Sequence, residues 1–222
     1  NRPISSYHPL GATNVEKFMK HSKLGICCLL AVFLTVSSAN ADARTARSTV
    51  ERFNATLLNI MQNASDLRFS GRYESLEPVL LDSFDIPFMA QFSAGRHWRT
   101  LSQDEKNKLI EIFGRLWVST YADRFNGYSG EAFEIVEEKP SPRNTILVKT
   151  NIVKSNGKKV AINYLLREKD TEWSVIDIFL SGKYSELAKQ RSEYTSVLKR
   201  KGFIGLVDTV EEKVKRMAQK GN

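Results

Sequence analysis

The sequence has little cysteine, little histidine and no long apolar run. Its two cysteines, Cys27 and Cys28, are adjacent near the N-terminus, so the rest of the chain offers neither a disulfide framework nor a cysteine nucleophile. Only one of the three histidines, His97, lies beyond residue 21. No Ser/His/Asp ordering, metal-ligand cluster or glycine-rich phosphate loop is visible. We therefore predict no catalytic residue, no metal and no enzymatic activity.

The N-terminal region contains a predicted export signal. Residues 19–23 are basic, and an apolar run follows over 24–36. That run is too short to span a bilayer comfortably. Two A-x-A cleavage sites follow, and they end at Ala41 and Ala43. The order of basic, apolar and small-residue blocks predicts a cleavable signal peptide over 19–41 rather than an internal hydrophobic helix.

The domain boundaries follow from that signal. Residues 1–18 precede the first methionine and show no periodic pattern, so we expect them to lie upstream of the signal and outside the fold. The rest of the chain is long enough for one domain of ordinary size, which we place over 44–218. Both cysteines lie in the apolar run, so the exported product would contain none.

Basic residues outnumber acidic ones in the whole chain and in the part after residue 41. The chain has 33 Lys and Arg against 25 Asp and Glu, and 29 against 24 remain after residue 41, a net charge of +5. Such a balance favours anionic membrane surfaces or acidic proteins as partners. Because the chain is predicted to be exported, we expect no nucleic-acid partner.

Apolar residues at helical spacing predict helices in the first half of the domain. An amphipathic helix is expected over 45–64, and a second over 71–83 that Pro78 kinks or divides. Asp85 is placed to cap a third, which Gly95 ends. Ser102 and Glu105 form a capping box for a long fourth helix. Its apolar stripe contains Leu109, Ile112, Phe113, Leu116, Trp117, Thr120 and Tyr121.

The second half of the domain changes to a period of two. Four strands are predicted, over 132–136, 145–153, 159–167 and 172–180, with a loop built on Pro140 and Pro142 and a hairpin turn at Ser155-Asn156-Gly157. In the last strand, Trp173, Val175 and Phe179 alternate with Ile176, Ile178 and Leu180, which predicts burial on both faces. Helical patterns return after Gly182 and break at Gly202. The fold class is therefore α+β, a curved antiparallel sheet of about four strands clasped by N- and C-terminal helices.

Two blocks of residues resemble one protein family. The first block contains Phe84-Asp85, Met89, Gly95-Arg96, Trp98 and Trp117-x-x-x-Tyr121. The second contains Trp173-x-Val175-x-Asp177-Ile178, Gly182, Tyr184-Ser185, Arg191-Ser192-x-Tyr194 and Gly202-Phe203. On these residues the chain resembles the MlaC family of periplasmic phospholipid-binding proteins, also called the toluene-tolerance auxiliary family. Gln91, Ala94 and Lys183 depart from the family pattern, and Arg191-Ser192-Glu193-Tyr194 is more similar to its hopanoid-associated branch, HpnM.

The resemblance implies a function. It implies an apolar cavity between sheet and helices that holds lipid as cargo, with no cofactor. It implies a periplasmic carrier of phospholipid or hopanoid-type lipid. Its partners would be an inner-membrane MCE-domain subunit of an ABC transporter and an outer-membrane lipoprotein complex. No chemistry on the lipid is expected.

The candidate lipid-binding residues are apolar side chains from the third and fourth helices and from the sheet. They are Phe88, Met89, Phe92, Phe113, Leu116, Trp117, Tyr121, Ile146, Val148, Val160, Ile162, Tyr164 and Val175. We expect Arg96 to pair with a helix end or with Asp85 rather than with a phosphate, and Trp98 to be structural. Asp177 in a buried strand is expected to be a hydrogen-bonded structural carboxylate.

Two alternatives remain open at this point. A cavity-bearing enzyme of the nuclear-transport-factor type would use an Asp or His in its cavity, and His97 between Arg96 and Trp98 is the only histidine available. A lone histidine in that setting is more often packed than catalytic. The other alternative is a periplasmic adaptor that binds membrane proteins and carries no lipid.

Overall fold

The computed structural model describes residues 45–220, and the upstream residues, the predicted signal peptide and its cleavage sites lie outside that range. The elements are helices α1 (Ala46–Gln62), α2 (Ala64–Ser83) and α3 (Ile86–Ala94), a 3-10 helix (Gly95–Thr100), α4 (Gln103–Arg124), strands β1 (Ala132–Ser141), β2 (Thr145–Val153), β3 (Lys159–Lys169), β4 (Glu172–Leu180) and β5 (Tyr184–Ser185), and helix α5 (Glu186–Lys220). The α+β prediction is confirmed. None of the helices in this range is both long and apolar enough to span a bilayer.

Local sequence signals fix the helix starts. Ser102 accepts a hydrogen bond from the Glu105 amide, and the Glu105 carboxylate accepts one from the Ser102 amide, so the predicted capping box is confirmed. Thr45 and Ser48 form a second capping box at the start of α1. Each box satisfies amides that a helix end leaves without partners.

Helix α2 differs from the prediction. It begins at Ala64, before the predicted start at residue 71, and its break lies at Arg68 (φ 51°, ψ −167°) rather than at Pro78. Pro78 is exposed, so the carbonyl group that loses its hydrogen bond there faces water and the helix continues. Leu81 near the end of this helix is 47% exposed.

The sheet is an antiparallel meander in the order β1-β2-β3-β4-β5. The fifth strand has two residues and was not predicted because so short a segment shows no alternation. Strand β1 extends through Pro140, where a loop was predicted. Proline is tolerated there because β1 is an edge strand, in which some amide groups have no partner strand. A bulge lies between Ile135 and Glu137.

The inner face of the sheet is set by the strand register. Val148 pairs with Tyr164 and Ile146 with Leu166, which confirms the predicted alternation in β2 and β3. In β4 the predicted burial on both faces is confirmed, since the four consecutive residues 175–178 are buried. The strict alternation predicted for this strand is wrong, because a bulge opposite Leu165 and Leu166 shifts the register. Tyr164 and Leu166 lie on one face of β3, so their β4 partners Ile178 and Val175 also share a face.

Helix α1 packs against strands β1 to β4 and α2 packs against β4, and Phe53 of α1 is fully buried between helices and sheet. Helix α5 divides at Gly202 (φ 68°, ψ −170°), as predicted. We refer to residues 186–201 as its N-terminal arm and to residues 203–220 as its C-terminal arm. Both arms line the cavity described next.

Candidate functional site

The Phe84-Asp85 pair joins the helices to the sheet. The Asp85 amide donates to the Val175 carbonyl oxygen at 2.9 Å, and Asp85 Oδ1 accepts from the Phe88 amide at 3.1 Å, so the predicted cap is confirmed. Asp85 Oδ2 accepts from Arg167 Nη2 at 2.6 Å and from Arg167 Nε at 3.1 Å. Of the two partners expected for Arg96, a helix end or Asp85, the second is wrong, because the guanidinium that reaches this carboxylate comes from Arg167 in β3.

A cleft of about 330 Å³ lies between α4, β4 and the two arms of α5. Its floor is apolar and consists of Leu116, Trp117, Tyr121, Ile178, Leu180 and Met217. Its rim is charged and contains Asp123, Arg124, Glu186, Lys189, Glu193, Lys213, Arg216 and Lys220. An apolar floor beneath a polar rim suits a ligand that is apolar at one end and charged at the other.

Three ion pairs connect the sides of the cleft. Arg124 Nη2 lies 3.5 Å from Glu186 Oε2. Lys213 Nζ lies 3.9 Å from Glu193 Oε2, and Lys220 Nζ lies 3.8 Å from Asp123 Oδ1. Two of these pairs attach the C-terminal arm of α5 to its neighbours. Long, partly exposed ion pairs each contribute about 0–1 kcal/mol to the stability of a folded protein. Two further partly exposed pairs attach the same arm to α4 through Glu211, so its electrostatic attachment consists of four weak contacts.

Two cations on the rim have no acidic partner. Lys189 projects from the N-terminal arm and Arg216 from the C-terminal arm, and neither forms an ion pair with a residue in the described range. They leave the rim with a net positive charge. An anionic group at the mouth of the cleft would be attracted to them.

The aromatic wall of the cleft is continuous. Trp117 lies 6.3 Å from Tyr121 between ring centroids, and Tyr121 also stacks at 5.5 Å on Phe125, which does not itself line the cleft. Burial raises the pKa of the Tyr121 phenol well above its ordinary value of 10, so this side chain is neutral at physiological pH. The wall thus presents large uncharged surfaces to the cleft.

A second cavity of about 410 Å³ adjoins the first between the two arms of α5. The cavities share the lining residues Leu116, Gln190, Glu193 and Lys213. The apolar lining of the second comes from Leu116, Tyr194, Val197, Leu206 and Val210. Because the two adjoin, apolar space follows the C-terminal arm along most of its length.

The predicted lipid-binding residues fall into four groups. Leu116, Trp117 and Tyr121 line the cleft. Phe88 and Phe92 line a different surface pocket. The fully or almost fully buried core contains Met89, Phe113, Val148, Tyr164 and Val175, and the half-buried residues of the sheet are Ile146, Val160 and Ile162.

Sequence reasoning missed the contribution of α5 to the cleft. Met217 belongs to an apolar pattern in the sequence, but nothing local indicates that its helix folds back onto α4. The break at Gly202 was the available signal, because a chain that reverses direction there brings the two arms together. Ile178 and Leu180 were also omitted, since the bulge in β4 changes which residues face the helices.

Two other side chains singled out in the sequence have structural surroundings. Asp177 accepts hydrogen bonds from the Ile178 amide at 2.7 Å, the Leu187 amide at 3.0 Å and the Ser185 hydroxyl at 2.6 Å, which confirms its predicted structural role. Burial raises its pKa and these hydrogen bonds oppose that rise. His97 lies on the 3-10 helix and does not line the cleft. No group of three His, Asp or Glu residues within 45–220 is arranged to hold a metal.

Known proteins resemble this chain in sequence and fold. The intermembrane phospholipid transport system binding protein MlaC of Haemophilus influenzae is 23% identical over 190 residues, which cover 83% of this chain and 88% of that protein. A phospholipid-binding protein from Ralstonia solanacearum, solved in complex with a phospholipid, superposes with a TM-score of 0.68 at 21% identity, over 78% of this chain and 98% of that one. The family model described as MlaC protein matches residues 51–212. The chain belongs to the MlaC family.

Proposed function

We propose that this protein is a soluble periplasmic carrier that holds a phospholipid or hopanoid-type lipid and moves it between the outer membrane and an inner-membrane MCE-domain ABC transport system. The observation that supports this most directly is the apolar cleft beneath the C-terminal arm of α5, with its unpaired cations on the rim. The relatives named above, one a transport-system binding protein and one solved with a phospholipid, agree with it.

The energetics of lipid transfer require such a cleft. A lipid with two tails carries about 30 methylene groups, and their exposure to water costs about 0.8 kcal/mol each, or about 24 kcal/mol in total. A carrier that buries the tails removes most of that cost from the crossing. It gives the lipid up when it docks on a partner that offers a second apolar path.

The cleft walls supply the proposed tail contacts. Leu116, Trp117 and Tyr121 contact the tail from α4, and Met217 contacts it from the opposite side. The space described is near the lower limit of ordinary ligand cavities, about 300 Å³, so a whole lipid requires the cavity to widen. The other candidate residues reach the tails when the helices separate from the sheet; these are Phe88, Met89, Phe92, Phe113, Ile146, Val148, Val160, Ile162, Tyr164 and Val175.

The unpaired rim cations supply the proposed head-group contacts. Lys189 and Arg216 stand on opposite arms of α5 and face the mouth of the cleft. A lipid phosphate between them would form charge-assisted hydrogen bonds with both arms. Those bonds would hold the C-terminal arm closed over the loaded tails.

The decisive experiment fills the cleft. Met217→Trp places a large ring in the cleft, and Ile204→Trp on the same arm places it in solvent, since Ile204 is 76% exposed. Native mass spectrometry and lipid extraction of detergent-free preparations measure the lipid that co-purifies. We expect Met217→Trp to lose most of its bound lipid and Ile204→Trp to keep the parent level.

Other outcomes contradict the proposal. Parent protein without any lipid mass supports the adaptor alternative. Equal lipid in both variants places the tails elsewhere. We expect His97→Ala to keep lipid transfer largely intact, and a complete loss of transfer with unchanged folding would support the enzyme alternative.

A further inference from the structure

A second charged surface lies on the 3-10 helix and the adjoining face of the N-terminal arm of α5. It carries four exposed cations, Arg96, Arg99, Arg191 and Lys199, which we name the basic surface. Two pockets of about 400 and 430 Å³ lie on it and share Arg96 and Arg191. Neither pocket is lined by an Asp or Glu. The positive charge is therefore not neutralised locally.

None of these four side chains forms an ion pair with a residue in the described part of the chain. Many other surface cations do, including Lys149 with Glu137 at 2.6 Å and Lys159 with Glu134 at 2.7 Å. Concentrating unpaired like charges on one face costs electrostatic free energy, which an anionic partner removes.

Backbone geometry holds the basic surface together. Gly95 has φ +58°, and a Cβ atom there would lie 3.3 Å from Thr195 Cγ2 and 3.5 Å from Arg191 Nε. Glycine thus lets the 3-10 helix approach α5 closely. Arg191, Thr195 and Lys199 follow at four-residue spacing and share a face of α5, so Arg96 is placed beside them.

Aromatic rings accompany the charges. Phe88, Phe92 and Trp98 are half-buried and line the larger pocket. The Arg191 guanidinium carbon lies 4.7 Å from the Phe92 ring centroid, and Lys106 Nζ lies 5.7 Å from that of Trp98. Aromatic rings beside basic groups suit the boundary between lipid head groups and acyl chains.

We propose that the basic surface docks this protein on the anionic face of a membrane, with its cations on lipid phosphates and its aromatic rings at head-group depth. A free phosphate ion would use the cations and leave the rings without a role, whereas a lipid surface uses both. The surface shares no lining residue with the cleft, although its rings Phe88 and Phe92 are also proposed to reach the tails when the cavity widens. The test therefore changes only cations and leaves every proposed tail contact in place.

The test measures vesicle binding by two charge-matched double variants. Arg96→Gln with Lys199→Gln removes two charges from the basic surface. Lys154→Gln with Lys158→Gln removes two exposed charges from the hairpin between β2 and β3. Flotation with vesicles of phosphatidylglycerol and phosphatidylcholine at low salt gives the affinities. A basic residue at an anionic surface contributes about fivefold, so the first variant should bind about 25-fold more weakly, and the control far less so.

Several results would overturn this assignment. If vesicle binding weakens equally in both double variants, the net charge of the protein explains the binding and the basic surface has no special role. If Arg96→Gln with Lys199→Gln binds vesicles as well as the parent, the basic surface does not contact the membrane, and an acidic protein is then the better candidate for its partner. Parent protein that binds pure phosphatidylcholine equally well removes the need for an anionic lipid. If micromolar inorganic phosphate shifts the NMR signals of the Arg96 and Thr195 backbone amides to a saturable end point, the site belongs to a free phosphate ion. Lipid co-purification, unchanged in both variants, separates this test from that of the cargo.

Discussion

Helix α4 faces two contrasting regions. On one side Phe53 is fully buried, with Phe84 at 4.9 Å, Tyr121 at 5.1 Å and Tyr164 at 6.2 Å between ring centroids, all close to edge-on. The Tyr164 hydroxyl donates to Asn54 Oδ1 at 3.1 Å. Interlocked rings and a satisfied buried hydroxyl leave no space for a ligand while the helices stay packed on the sheet.

On its other side α4 borders the cleft. There Met217 is half-buried, and the opposite wall is attached by long ion pairs that water reaches. Tyr121 belongs to both regions, since it touches Phe53 and lines the cleft. The contrast teaches that the packing on the sheet side of α4 contributes most of the stability. The C-terminal arm of α5 on the other side of α4 can therefore move away more easily.

The largest expected effect tests that asymmetry directly. Phe53→Ala removes a ring from the closed core and should lower the free energy of unfolding by about 3–5 kcal/mol. Met217 borders space that is already empty, so Met217→Ala should lower the free energy of unfolding by about 1 kcal/mol or less. Urea unfolding followed by circular dichroism measures both. Similar losses in the two variants would break the comparison, because they would make the cleft as tightly packed as the core.

The sequence predicts the closed region better than the open one. Capping at Ser102, the hairpin turn at Asn156-Gly157 and the alternation in β2 and β3 all depend on neighbours along the chain. The cleft depends on where α5 returns after Gly202, which is a long-range property. Periodicity identified Trp117 as an inward residue, but it does not distinguish a core contact from a cavity wall.

Buried charges illustrate the same limit. Arg72 is 3% exposed and donates to the carbonyl oxygens of Ala122 and Ala64, both at 2.9 Å. No local pattern marks a helical arginine as buried. Asp85 was recognised as a cap, yet its ionic partner Arg167 lies 82 residues further along the chain.

The second prediction concerns that buried arginine. Desolvation lowers the pKa of Arg72, and its hydrogen bonds join α2 to the end of α4. Arg72→Ala leaves two carbonyl oxygens without partners, so the free energy of unfolding should fall by about 3 kcal/mol. Arg115→Ala, which removes ion pairs of 3.7 and 3.8 Å at the surface, is the control and should cost about 0.5 kcal/mol. Equal losses would show that burial of the guanidinium contributes nothing.

The third prediction sharpens the comparison at the hinge of α5. A Cβ atom at Gly202 would meet no atom within 4 Å. The backbone there has φ +68°, however, so Gly202→Ala should introduce about 1–3 kcal/mol of backbone strain. Hydrogen exchange should therefore accelerate over 203–220 and stay unchanged around Phe53. Gly127→Ala, in open space without a positive φ, is the control. Uniform acceleration over the whole domain would contradict an independently attached arm.

The smallest effect concerns Asp177, where β4 meets α5. Burial raises its pKa above the ordinary value of 3.8, so the folded chain holds this proton at higher pH than the unfolded chain. Its contribution to stability is complete below pH 3.8 and is lost as the pH rises through the raised pKa. Asp177→Asn does not titrate, so its free energy of unfolding relative to the parent should increase over that window. Parallel pH curves for the two proteins would contradict the shift.

The proline in β1 has a consequence for how copies of this protein meet. An unpaired sheet edge is a template on which strands from other molecules can add, and such addition leads to aggregation. Here the outer strand is interrupted by a bulge at Ile135 and Glu137, lacks an amide hydrogen at Pro140 and carries Glu138 and Lys139 between them. The proposed exchange of cargo would expose apolar surface, and the outer strand is ill suited to fibril growth when that surface is open.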